Sequence, residues 1–139
     1  IVDSAQTAAQ ARGIDIAFNS ESVATVQGDA FLLRRALSNL LDNAIDFSPD
    51  GAVVEIDLHV DPRIAQVKVR DHGPGIPDYA EDKVFEKFYS LARPHSQKKS
   101  TGLGLAFVKE IAELHHGRIT LENATDGKGA VATLSLPRN

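Results

Sequence analysis

Three clusters of residues in this chain have the types and spacing to handle a nucleoside triphosphate. The first is Asp71-His72-Gly73-Pro74-Gly75-Ile76. The Asp71 carboxylate, acceptor-only when ionised, can take a hydrogen bond from the exocyclic amine of adenine. Guanine presents a carbonyl oxygen there, and the facing acceptors would lose about 1–3 kcal/mol. Gly73 and Gly75 lack the β-carbon that would keep the backbone away from a base. The second cluster is Thr101-Gly102-Leu103-Gly104-Leu105 at the mouth of a helix, where free amides and the helix dipole attract phosphate. Ser100 and Thr101 add hydroxyls, and Arg93, Lys98 and Lys99 add local positive charge. The third is Asn39 and Asn43, on one helical face between Arg35 and Asp46. The Asn43 amide oxygen can enter a magnesium shell whose other positions are water and phosphate oxygens.

Each cluster has a plainer reading: a solvated polar stripe for the asparagines, an ordinary turn for Asp71, a solvated loop for the cations. Their occurrence together, in this order, selects Mg-ATP as the expected ligand. Other nucleotide signatures fail. Gly-x-Gly-x-x-Gly is broken by Asp78 in one loop and by Phe107 in the other, and no Gly-x-x-x-x-Gly-Lys-Ser/Thr loop occurs. The five histidines (59, 72, 95, 115 and 116) have no metal-ligand spacing with acidic partners.

These groups need elements to hold them. Residues 1–12 are alanine-rich and predict a helix that stops at Gly13. Ile14, Ile16 and Phe18 alternate as in a half-buried strand, and 23–26 suit another short strand. Asp29 is placed to cap a long helix with Leu33, Leu37, Leu40, Leu41 and Ala44 on its apolar face, ended by Ser48-Pro49-Asp50-Gly51. Two alternating runs, Val54–Val60 and Ala65–Val69, predict a hairpin that delivers Asp71 at its end. Residues 79–89 suit a short helix, 90–101 a polar basic loop. Leu103 to His115 predicts an amphipathic helix with Leu103, Phe107, Ile111 and Leu114 on one face. Strands over 118–121 and 130–136 follow, around a turn at Asp126-Gly127-Lys128-Gly129. Helices between hairpin-like strands favour an α/β two-layer sandwich with a mixed, largely antiparallel sheet of about five strands on about three helices.

Composition narrows the partners. The 139 residues suit one domain, with 1–12 as the end of a linker helix and 13–139 as the globular part. A net charge of -4 speaks against a nucleic-acid surface and requires any phosphate-binding charge to be local. The chain has no cysteine, which excludes disulfides and thiolate metal sites. No apolar run reaches the roughly 18–20 residues that span a bilayer, so no membrane contact is expected of this stretch. Ile1 in place of an initiator methionine predicts a piece of a longer protein or a processed product.

Taken together the clusters resemble the four boxes of the catalytic, ATP-binding domain of bacterial sensor histidine kinases, in the superfamily that includes gyrase, Hsp90 and MutL. Asn39–Asn43 resembles the N box, Asp71–Ile76 the G1 box, Val84-Phe85-Glu86-Lys87-Phe88-Tyr89 the F box, and Ser100–Leu105 the G2 box. The match runs from about Asp29 to the end of the chain. The resemblance implies a Bergerat-type α/β sandwich with a lid between the F and G2 boxes, and a cytoplasmic domain whose parent is an inner-membrane sensor. By it Asp71 reads adenine, Asn43 binds magnesium and Phe47 lies near the base. Two residues depart from the pattern: Asp46 stands where many members have lysine, and Ser90 where many have arginine. Arg93 or Lys98 is the expected substitute for that arginine. The Gly-Leu-Gly-Leu-Ala-Phe-Val stretch and the lid resemble catabolite-responsive members.

The function implied is transfer of the ATP γ-phosphoryl to a histidine on a dimerisation helix outside this chain, in a homodimeric parent, for relay to the receiver domain of a response regulator. Positioning and charge neutralisation are the main requirements of such a transfer. At the place of Asn39, gyrase-like members carry a glutamate that activates water. An amide is no base at neutral pH, so hydrolysis is expected to be slow. None of the five histidines is followed by an acidic residue and Arg-Thr-Pro, so the chain alone is not expected to phosphorylate itself. The alternatives are an ATP-hydrolysing conformational module of the gyrase or chaperone type, and a non-catalytic nucleotide-binding module.

Overall fold

The structure, a computed structural model, describes residues 13–20, 28–76, 85–86, 104–124 and 129–138. Its strands are β1 (Asp15–Ser20), β2 (Val53–Val60), β3 (Ile64–Arg70), β4 (Arg118–Asn123) and β5 (Ala130–Pro137). Its described helices are α1 (Ala30–Phe47) and α2 (Gly104–Leu114). The sheet runs in the order β1-β2-β3-β5-β4. β1 and β2 are parallel and every other pair is antiparallel. A parallel pair needs a crossover, and α1 lies in the connection between these two strands. The mixed, largely antiparallel sheet is the one expected. The helix expected over 1–12 and the strand expected over 23–26 lie outside the described residues, as does most of the helix expected over 79–89.

One core fills the space between the helices and one face of the sheet. Ala36, Leu40, Leu41, Ala44 and Ile45 of α1 meet Val108, Ile111 and Ala112 of α2 over Val54, Ile56, Val69, Ala132, Leu134 and Leu136. β5 alternates buried and half-buried residues along its whole length, as a strand with one covered face must. α1 starts where expected: the Asp29 carboxylate accepts from the Leu32 N–H at 3.0 Å. It stops at Ser48, whose buried hydroxyl donates to the Ala44 carbonyl at 2.8 Å. One expectation for α2 needs correction. Phe107 and Ile111 pack inward, but Leu114 is 65% exposed. It is the last helical residue, where the chain leaves through His115 and the left-handed His116 (φ 60°).

Candidate functional site

Asp71 follows directly on β3 and is the one charged residue buried among the described residues, at 6% exposure. Its Oδ1 accepts the Gly73 N–H at 3.0 Å and the Ala130 N–H at 3.2 Å, while its own N–H donates to the Ala130 carbonyl at 3.0 Å. Burial pushes the carboxyl up from its ordinary value; the bonds from Gly73 and Ala130, and then His72 and Arg70, pull the other way. Both of these side-chain bonds fall on Oδ1.

The loop after Asp71 is fastened at several points. The His72 Nδ1 lies 2.7 Å from the Val53 carbonyl, at the start of β2. A β-carbon on Gly73 would run into the Phe47 carbonyl, so the loop lies against the last residue of α1. Gly75 takes a left-handed φ of 82°, open to glycine and rarely to other residues. Each glycine therefore has a reason within the fold besides the approach to a base expected from sequence: Gly73 close approach to the chain's own backbone, Gly75 its positive φ and the Asn123 side chain against it.

Beyond the turn, Ile76 is buried in a small cluster with Ala130, against which Phe85, Leu105 and Leu121 pack. This cluster joins residues from the G1, F and G2 segments. On the other side, Asn39 Nδ2 donates to the carbonyl of Gly104, the first residue of α2, at 3.5 Å. Asn43 lies one turn further along α1, half-buried. Among the described residues a side chain at Gly104 would enter open space. The Asn39 turn, Phe47, Asp71, Gly73, Gly75, Ile76, Gly104 and Leu105 are thus brought to one end of the sandwich. Arg93, Lys98, Thr101, Gly102 and Leu103 lie outside the described residues.

Asp42, beside the asparagines, also has its carboxyl pushed up, first by burial and then by the Asp46 charge one turn away, against the pull of Arg35. The aspartate at 46 thus crowds the helix with like charge where the resemblance leads to lysine. Among the described residues no three His, Cys, Asp or Glu side chains gather as a metal cage. A donor set of one amide oxygen fits a magnesium ion carried mainly by phosphates and water.

Two residues that hold the frame, one at the G1 loop and one at the start of α1, do not stand out in the sequence. The Asn123 side chain holds both polar atoms of the Ile76 backbone, with Ile76 N–H donating to Oδ1 at 2.6 Å and Nδ2 donating to the carbonyl at 3.0 Å. His115 ties the helices together: its Nδ1 lies 2.8 Å from the Ile111 carbonyl, and its Nε2 accepts the Asp29 N–H at 3.0 Å. The first bond fixes the tautomer, since a carbonyl accepts only from a protonated Nδ1. An asparagine at the end of a strand and a histidine after a helix carry no local pattern, so neither stands out in the sequence.

Comparison with known proteins adds an independent line. Residues 28–139 match the family described as histidine kinase-, DNA gyrase B- and HSP90-like ATPase. The sensor protein CreC of Escherichia coli (strain K12) is 50% identical over 114 residues, which cover 82% of this chain and 24% of that protein. The chain thus spans about a quarter of that relative's length. The solved structure of the mycobacterial sensor histidine kinase MprB is similar with a TM-score of 0.81 and 33% identity, covering 98% of this chain and 92% of that one. The nucleotide-free catalytic domain of histidine kinase ThkA gives a TM-score of 0.83 at 26% identity, with 96% and 86% covered.

Proposed function

The chain belongs to the histidine kinase-, DNA gyrase B- and HSP90-like ATPase family, and from that premise we propose that it is the ATP-binding catalytic domain of a sensor histidine kinase. In this reading it transfers the γ-phosphoryl of ATP to a histidine on a dimerisation helix elsewhere in a homodimeric parent, for relay to a response-regulator receiver domain. In this reading residues 1–12 belong to the linker from a preceding dimerisation domain and 13–139 to the catalytic domain. The parent is an inner-membrane sensor with this domain in the cytoplasm; no helix among the described residues is long and apolar enough to cross a membrane. One observation carries the reading. Asp71, the Asn39 turn and the first turn of α2 come together at one end of the sandwich, although they are far apart in the chain.

Each residue has a physical task there. Asp71 Oδ2 accepts from the adenine amine, with Gly73, Gly75, Ile76 and Phe47 around the base. The phosphates are assigned to the start of α2 at Gly104 and Leu105, and the sequence pattern adds Thr101, Gly102 and Leu103 for amides and Arg93 and Lys98 for charge. Asn43 would hold Mg2+ through its amide oxygen, and the ion would supply charge neutralisation at the phosphates. Asn39 holds the N-box turn to Gly104 and, being an amide, leaves water unactivated, so the γ-phosphoryl is kept for the histidine acceptor. A rapid release of phosphate by the chain would instead favour the hydrolysing relatives.

Calorimetric titration with ATP tests the reading. Binding that requires magnesium and is lost in Asn43→Ala is the expected result. Mg2+ alone is expected to give no binding heat, because its other ligands arrive with the nucleotide. Unchanged affinity in Asn43→Ala removes Asn43 from its role, and absence of ATP binding by the wild-type chain overturns the function. Label from γ-labelled ATP is expected to stay off this chain, whose acceptor lies elsewhere.

A further inference from the structure

Asn123 is the last residue of β4 and is solvent-exposed, yet its amide grips the Ile76 backbone with two bonds of 2.6 and 3.0 Å. A carboxamide presents one acceptor and one donor side by side, which matches the N–H and C=O of a single extended residue. A β-carbon on Gly75 would come within 2.7 Å of the same Oδ1, so the glycine leaves room for the grip. Asn123 is also the register partner of Ala130, whose N–H donates to Asp71 Oδ1. Below it, Ala124 N–H donates to the Gly129 carbonyl at 3.0 Å, which closes the hairpin between β4 and β5. The end of this hairpin therefore holds the G1 loop at both ends, Asp71 through Ala130 and Ile76 through Asn123.

We infer that Asn123 is a positioning residue for adenine recognition: it fixes the loop from Asp71 to Ile76 in the shape that receives the base, without touching the base itself. The inference rests on the adenine-binding reading above. An untied loop would have to be ordered by the ligand, and that ordering entropy is subtracted from affinity. Preorganisation of this kind affects base recognition more than global stability, because Asn123 contributes no side chain to the core.

The test uses the full chain with ATP and GTP as probes, calorimetry for affinity, and hydrogen exchange at the Ile76 and Gly73 amides. Asn123→Ala is expected to lower ATP affinity about tenfold or more, to shrink the preference for ATP over GTP, and to speed exchange at Ile76 and Gly73 while the α1 and α2 amides stay protected. Asn123→Asp keeps the acceptor for the Ile76 N–H and loses the donor, and is expected to fall between the two. Unchanged ATP affinity in Asn123→Ala with a deprotected Ile76 amide overturns the inference and leaves the ATP-binding reading intact. Exchange accelerated uniformly across the chain assigns Asn123 a structural role only, and equally overturns it. If the wild-type chain binds no ATP, the parent reading fails first and takes this inference with it.

Discussion

β3 is bracketed by two aspartate turns built from the same bonds and put to opposite ends. Asp61, before the strand, takes the N–H groups of Arg63 and Ile64 on its Oδ1 at 2.7 and 2.8 Å. Asp71, after it, takes those of Gly73 and Ala130 on its Oδ1 at 3.0 and 3.2 Å. Asp61 is exposed, and the bonds from Arg63 and Ile64 pull its carboxyl below the ordinary value. Asp71 is buried, and desolvation outweighs the same kind of bond and pushes it up. Folding lowers one carboxyl and raises the other, and the proposed site uses the raised one. Burial separates them, and so does the reach of their bonds: Asp61 is bonded within its own turn, Asp71 also to a residue on β5.

The largest effect expected from breaking this contrast is on binding. Asp71→Asn leaves an oxygen for the Gly73 and Ala130 amides but, in the proposed site, replaces the carboxylate assigned to adenine by an ambivalent amide. ATP affinity should fall by about 1–3 kcal/mol, with a smaller ATP/GTP ratio, by calorimetry. Asp61→Asn should change neither. An Asp71→Asn variant that still discriminates between the two bases would remove Asp71 from the reading site.

A comparable loss of stability is expected at Gly129, which packs against the Asp71 carbonyl and has a φ of 82°. An alanine there meets both the backbone and the left-handed strain, so Gly129→Ala should destabilise the chain by about 1–3 kcal/mol in urea unfolding. No residue of the Asp61 turn has a positive φ, so the same class of change has no target there.

The pH dependence should differ in sign. A carboxyl raised by folding binds more protons in the folded state, so its stabilising share is complete below its ordinary value and is lost as pH rises through the folded value. Asp71 thus weakens the fold at neutral pH, and Asp71→Asn should melt no lower than wild type there. Asp61, lowered by folding, stabilises above its ordinary value and loses that share as pH falls through the folded one. Melting temperatures across the acid range, for the two asparagine variants, should therefore change slope in opposite directions.

The smallest effect is expected for Asp61→Ala, a modest fall in melting temperature at neutral pH with ATP affinity unchanged. A loss of affinity there would mean that the hairpin turn and the nucleotide site are coupled through β3.

How far the sequence reaches follows the same division. The Asp61-Pro62-Arg63 turn, the Asp29 cap and the alternation of β2, β3 and β5 were legible because their partners lie within a few residues. The spacing of the glycines in the G1 loop and of the asparagine pair was legible in the same way, and the proposed site is built on it. Leu114 was misplaced because a periodic face says nothing about where its cover ends. Whether the aspartate after β3 would be buried, which glycine would meet which carbonyl, and that Asn123 and His115 would hold the loop and the helices, depended on contacts dozens of residues away. The Asp71–Ala130 bond spans 59 residues and the Asn123–Ile76 pair 47. Short-range bonds are written in residue order, whereas desolvation and long-range bonding exist only after the sheet has closed and the helices have covered it. Chemistry was available from the chain; its strength was set by the fold.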